Sequence, residues 1–156
     1  MEGKTWKVET GTHSKAQLLL ALSEYKINLN AYAAMLFMSQ AFEVSTERQT
    51  VELVGVSVHE LGFTEGTLFA DILKAAKHQG LAPCAFELAA YLRLTYLTQD
   101  KGTILTVASI PAFSDEIHPT GFYLRADDAG LWLRGYRASD DWLWPPESVF
   151  VFVKKA

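Results

Sequence analysis

Cysteine is nearly absent from this sequence. Cys84 stands alone, which excludes an intramolecular disulfide framework and any zinc or iron–sulfur centre built from several cysteines. A single thiol fits a reducing compartment. Long apolar runs are missing too: no stretch reaches the roughly 18 apolar residues of a membrane span. The opening, MEGKTWKVETGTHSKAQ, has neither the basic start nor the apolar stretch of a signal peptide. These absences point to a cytoplasmic protein with no membrane segment. Excess positive charge is also lacking. Residues 1–78 and 79–156 each carry 7 basic and 9 acidic side chains, so neither half offers a surplus of lysine and arginine to neutralise phosphates. A general nucleic-acid role is disfavoured on that ground.

What is present is the composition of a globular chain. With 49% hydrophobic and 21% charged residues, 156 residues suffice for one domain with its own core. A helix is expected from Ser14, because Ser14 and Gln17 have the spacing of a capping box and Leu18, Leu22, Tyr25 and Leu29 then form one stripe. Asn28 or Asn30 breaks and recaps it. Residues 31–42, AYAAMLFMSQAF, are apolar almost all round, which predicts a helix covered on more than one side. That cover is either the core or, around Met35 and Phe37, a partner protein or second copy of the chain. The polar stretch 43–49 reads as a linker between the helical segment 14–42 and an α+β body spanning 50–154.

In the body, residues 51–58 read as a buried strand, followed by a helix capped by Thr64 or Thr67 and ended by Gly80. Pro83 is placed to start a short helix through about Ala90. Residues 91–98 and 103–110 read as one antiparallel hairpin. Residues 122–126 and 131–137 form a second, around Asp127-Asp128-Ala129-Gly130, and 148–153 supplies a last strand. The expected fold class is α+β: N-terminal helices, then a strand–helix unit and a mostly antiparallel sheet of about six strands.

Motifs of common chemistry are incomplete. His59-Glu60 begins an HExxH pattern, but Phe63 occupies the second histidine position. The other histidines, His13, His78 and His118, have no metal-ligand spacing, so neither a metal nor another cofactor is expected. His78 suits a helix C-terminus. The turn from Gly62 to Thr67 lacks the GK[ST] ending and the GxGxxG spacing of phosphate loops. Cys84 reads as an inert core thiol rather than a nucleophile.

The most distinctive feature lies near the C-terminus. On a strand over 131–137, Trp132, Arg134 and Tyr136 share one face, with Tyr123 and Arg125 alongside and Trp142 and Trp144 extending it. Such a face either stabilises the sheet or stacks a ring or peptide while arginine holds an anionic group. The leading functional expectation is therefore a binding or protein-interaction domain taking a protein partner or a small ligand. Recognition of single-stranded nucleic acid on the same aromatics ranks below it, given the charge. The alternative is a small hydrolase-like enzyme whose acid–base groups converge only in the fold, for example Glu60 or Asp141 with His59 or His118.

From Val51 onward, LGFTEGTLFADILKAAKHQGL, YLRLTYLTQ and DDAGLWL resemble a group of uncharacterised bacterial proteins with an LGF…G…A…GL, LRL-Y and DDGLWL pattern. That group usually has cysteine before proline after the glycine-capped helix; here Pro83 precedes Cys84. The resemblance implies no activity.

Overall fold

The computed structural model describes residues 4–155. Thr5–Thr10, unassigned from the sequence, forms strand β1 and pairs antiparallel with β3 (Gln49–Ser57). Between them lie α1 (Lys15–Glu24), the two-residue β2 (Asn28–Leu29) and α2 (Ala31–Met38). Next come β4 (Thr67–Leu68), α3 (Phe69–His78), β5 (Leu81–Ala82), α4 (Phe86–Thr95) and β6 (Ile104–Val107). The chain then forms the hairpin β7 (Gly121–Asp127) and β8 (Gly130–Tyr136), the short β9 (Leu143–Trp144), and β10 (Val149–Lys154).

The α+β class is correct, but the sheet is larger than about six strands and is mixed. Its order is β1-β3-β10-β6-β7-β8-β2, with β5 also pairing to β10. The β10–β6 and β2–β8 pairs are parallel. β4 and β9 make a separate two-stranded ribbon.

Two local expectations hold in detail. Ser14 and Gln17 form a complete capping box at the start of α1. Asp127 turns the β7–β8 hairpin, its carboxylate accepting the Ala129 amide at 2.9 Å. Asn30 does more than recap. Its side chain caps α2 through the Ala33 amide and pairs with both the amide and the carbonyl of Gly135, imitating one further residue of strand beside β8.

Other expectations are corrected. Residues 91–98 do not form a strand: α4 runs on from Phe86 to Thr95, so the first expected hairpin does not exist and β6 pairs with β7 and β10 instead. Every residue from Phe86 to Arg93 is buried, and a helix buried all round has no polar stripe to reveal its period. Its two charges are met inside. Glu87 accepts the amide and hydroxyl of Ser45, while Arg93 donates to Gln99, the Trp132 carbonyl and the Tyr96 carbonyl. The 43–49 stretch is thereby tied to the body at Ser45. Helix α4 starts three residues after Pro83, and α3 starts at Phe69 with no side-chain cap, Thr67 instead donating to Asp71.

The two faces of the sheet differ. On the inner face, Leu53, Val107, Phe122, Leu124, Leu133 and Val151 pack against buried residues of α1, α2 and α4, among them Leu18, Leu36 and Leu92. On the outer face α3 covers only part: Ile72 and Ala76 join Val54, Val56, Phe150 and Phe152 in a second core. Each fully buried side chain of this size contributes about 1.5–3 kcal/mol by leaving water. Among the described residues no helix covers the outer face over β6, β7 and β8.

Candidate functional site

Strand alternation decides what the uncovered face presents. Phe122, Leu124 and Ala126 of β7 and Leu133 and Gly135 of β8 are buried, so Tyr123, Arg125, Trp132, Arg134 and Tyr136 fall on the other side. The register sets Tyr123 opposite Arg134 and Arg125 opposite Trp132, while β6 adds Ile104 opposite Arg125 and Thr106 opposite Tyr123.

The five residues singled out in the sequence divide into two groups. Toward the hairpin turn, polar groups are already partnered. Asp127 accepts the Trp132 indole N–H at 3.0 Å and pairs with Arg125 at 3.4 Å; the indole bond is the main reason its carboxyl lies below the usual range. Arg134 lies over the Trp132 ring at 4.8 Å and donates its Nε to the Tyr123 hydroxyl at 2.7 Å. At this end the face is a self-satisfied ladder.

Away from the turn, the face becomes concave. Tyr136 meets Trp144 edge-on at 5.6 Å, and Trp144 in turn meets Phe150 at 4.9 Å. Burial pushes the Tyr136 phenol well above its ordinary pKa, so it stays neutral. The β4–β9 ribbon holds Trp144 in place: Thr67 pairs with Trp144, and Gly66, at φ +90°, lets the chain pass against the Trp144 carbonyl where a Cβ has no room.

Three adjoining depressions surround these aromatics. One of about 280 Å³ is lined by Ile104, Thr106, Tyr123, Tyr136, Trp142 and Trp144. A second, about 550 Å³, continues past Trp142 and Trp144 to Gly102, Glu147 and Val149. The third, about 460 Å³, shares Tyr136, Arg137 and Trp144 and reaches the loop carrying Asp115, Glu116 and His118. Together they make an open groove along residues 137–148, faced by 111–120 at one end and by 102–106 at the other. Its rim is apolar and exposed: Ile104 is 48% and Trp142 54% accessible. Trp132 and Arg125 line none of the three, whereas Tyr123 and Tyr136 lie in the floor.

The acid–base candidates are dispersed. His118 stacks on Phe113 at 4.3 Å and bonds Asp115 at 2.7 Å. The His118 and Ile117 amides, with that ring, hold the Asp115 carboxyl down to about 2. The cleft lined by His118 includes Asp140 and Glu116 but not His59, Glu60 or Asp141. Glu60 accepts the Ser57 amide in a turn, and Asp141 accepts the Ser139 hydroxyl. Cys84 is 3% exposed, its thiol directed at the Val151 carbonyl, and burial pushes it far above the ordinary thiol pKa. Among the described residues no group of three or more His, Cys, Asp or Glu side chains could hold a metal, and no helix is long and apolar enough to cross a membrane.

The apolar helix 31–42 is shorter than expected and mostly used within the molecule. Ala33, Leu36, Phe37 and the following Phe42 are buried, Phe37 stacking on Phe42 at 4.5 Å, and Met38 alone of its large residues stands well exposed.

No family model, curated protein or solved structure matches this chain. Trp142 and Trp144, expected from the sequence to extend the face, line the groove, whereas Ile104 gains its importance only from the fold. The signal for the first two was the aromatic run DWLW; nothing local marks Ile104 as their neighbour.

Proposed function

We propose that this protein is a cytoplasmic binding protein that holds an extended segment of another protein in the aromatic groove of its outer sheet face. The observation that carries this reading is the exposed apolar rim of Ile104 and Trp142 above a floor of Tyr123, Tyr136 and Trp144. Large apolar side chains concentrated beside a groove mark an interaction surface. A small-molecule site normally encloses most of its ligand, while these depressions run together and stay open along their length, which suits an extended chain. Trp142 is the expected anchor, because an exposed tryptophan beside a concave surface contributes much on desolvation.

The test is capture of peptides from a random display library by the wild-type protein, with Trp142→Ala and Trp132→Ala in parallel. Trp142→Ala is expected to weaken selected peptides at least about tenfold without loss of thermal stability. Trp132→Ala, whose indole is tied to Asp127, is expected to cost stability more than binding. Equal binding by wild type and Trp142→Ala would remove the groove from consideration.

A second reading, a small hydrolytic enzyme, has one observation in its favour: His118 is oriented by Asp115 at the mouth of the 460 Å³ cleft. Against it, two of the three serine and threonine hydroxyls lining the cleft are committed elsewhere, Ser139 to Asp141 and Thr120 to the Ala138 carbonyl, and no hydrogen bond ties His118 to the third, Ser114. Ester turnover abolished by His118→Gln would favour this reading over the first.

A further inference from the structure

The distribution of charge says more about the occupant. Of the 18 carboxylates and 14 lysines and arginines, residues 111–120 and 137–148 contain five and one respectively: Asp115, Glu116, Asp140, Asp141 and Glu147 against Arg137. Thirteen of each remain elsewhere. The whole formal charge of −4 therefore resides on these two segments, the third wall of the groove, residues 102–106, being uncharged.

We infer that the groove takes a cationic segment, a lysine- or arginine-bearing stretch of a partner protein. This inference rests on the groove being a binding surface and adds the chemistry of what binds. Glu116 and Asp140 line one end of the groove and Glu147 the other, with Tyr136, Trp142 and Trp144 between them. Asp115 is occupied by His118, but Glu116, Asp140, Asp141 and Glu147 take part in no ion pair among the described residues. A basic side chain entering here gains ring faces in the middle and unpaired carboxylates at both ends. The same sheet face already seats one such group, the Arg134 guanidinium over the Trp132 ring. Arg137, the single cation of the walls, has its Nε buried without a hydrogen-bond partner inside the molecule. The exposed Ile104 and Trp142 call for apolar neighbours in the occupant, which a peptide supplies and a simple polyamine does not.

The experiment uses three fluorescein-labelled dodecapeptides with one shared leucine–tyrosine framework and lysine, glutamine or glutamate at the alternate positions. Binding to the full chain is read by anisotropy. The lysine peptide is expected to bind at least about tenfold more tightly than the glutamine peptide, with the advantage shrinking as salt is raised and the Debye length shortens. The glutamate peptide is expected not to bind. The triple variant Glu116→Gln, Asp140→Asn, Glu147→Gln, altering exposed side chains only, is expected to abolish the preference for lysine while retaining the glutamine peptide's affinity. Equal affinities for lysine and glutamine peptides, both lost in Trp142→Ala, would overturn the cationic inference and leave the groove intact. Failure of all three peptides to bind wild type would overturn both. A wild-type dimer in sedimentation that Trp142→Ala converts to monomer would also overturn it, giving the groove to a second copy.

Discussion

Arg93 is a fully buried guanidinium whose hydrogen-bond partners are all neutral. Its N–H groups reach the Gln99 amide oxygen at 2.7 Å and the Trp132 carbonyl at 3.2 Å, as well as the Tyr96 carbonyl that closes α4. Burial lowers its pKa to about 10, which still leaves it charged at neutral pH. One side chain thus joins the end of a helix to the back of β8, directly behind the outer face. A lysine carries the charge but cannot reach three diverging acceptors. Arg93→Lys is expected to lower stability by about 2–3 kcal/mol, seen as a reduced midpoint in urea with unchanged slope. A change under about 0.5 kcal/mol would show that the fork geometry is dispensable. Sequence could not announce this role. An arginine in YLRLTY looks like a surface residue of a strand, and its acceptors lie 3, 6 and 39 residues away.

Between elements, the closest approach is that of α2 to β8. A Cβ placed on Gly135 would sit 2.6 Å from the Tyr32 carbonyl carbon and 2.7 Å from the Ala33 nitrogen. Those atoms are helix backbone and cannot turn aside. Gly135→Ala is therefore expected to cost about 1–3 kcal/mol, by thermal or urea unfolding, as α2 shifts off the sheet. Asn30, bonded to Gly135 on both sides, is the element that would register the shift. Legibility at this scale follows the locality of the signal. The capping box of α1, the alternation of β3 and β10 and the Asp-Asp-Ala-Gly turn of the β7–β8 hairpin are written in neighbouring residues, and all were readable. β1 was readable in principle, since Trp6, Val8 and Thr10 alternate with Lys7 and Glu9, but six residues beside a polar start give little contrast. α4 was not, because tertiary burial erased its period, and the parallel β10–β6 pairing depends on segments more than 40 residues apart. The candidate site shows the same division. The shared face of Trp132, Arg134 and Tyr136 came from period-two alternation, while the groove came from loops and a ribbon that only the fold brings over that face.

Across the whole molecule, β10 occupies the middle of the sheet. It pairs with β3 on one side and with β6 and β5 on the other, and Phe150, Val151 and Phe152 are fully buried between the two helical layers. A chain ending at residue 148 is expected to lack cooperative unfolding and near-ultraviolet tryptophan dichroism, since removing β10 splits the sheet and exposes both cores. A sharp thermal transition in that truncation would mean that β1–β3 and β6–β8 are held together by the helices alone. The sheet order also bears on how the protein is made. A nascent chain emerging from the ribosome displays β3 and β6 with no strand to sit between them until residues 149–154 appear, so the intermediate is a split sheet with two apolar faces bare. A chain halted before Val149 is therefore expected to be prone to aggregation and degradation rather than partly working.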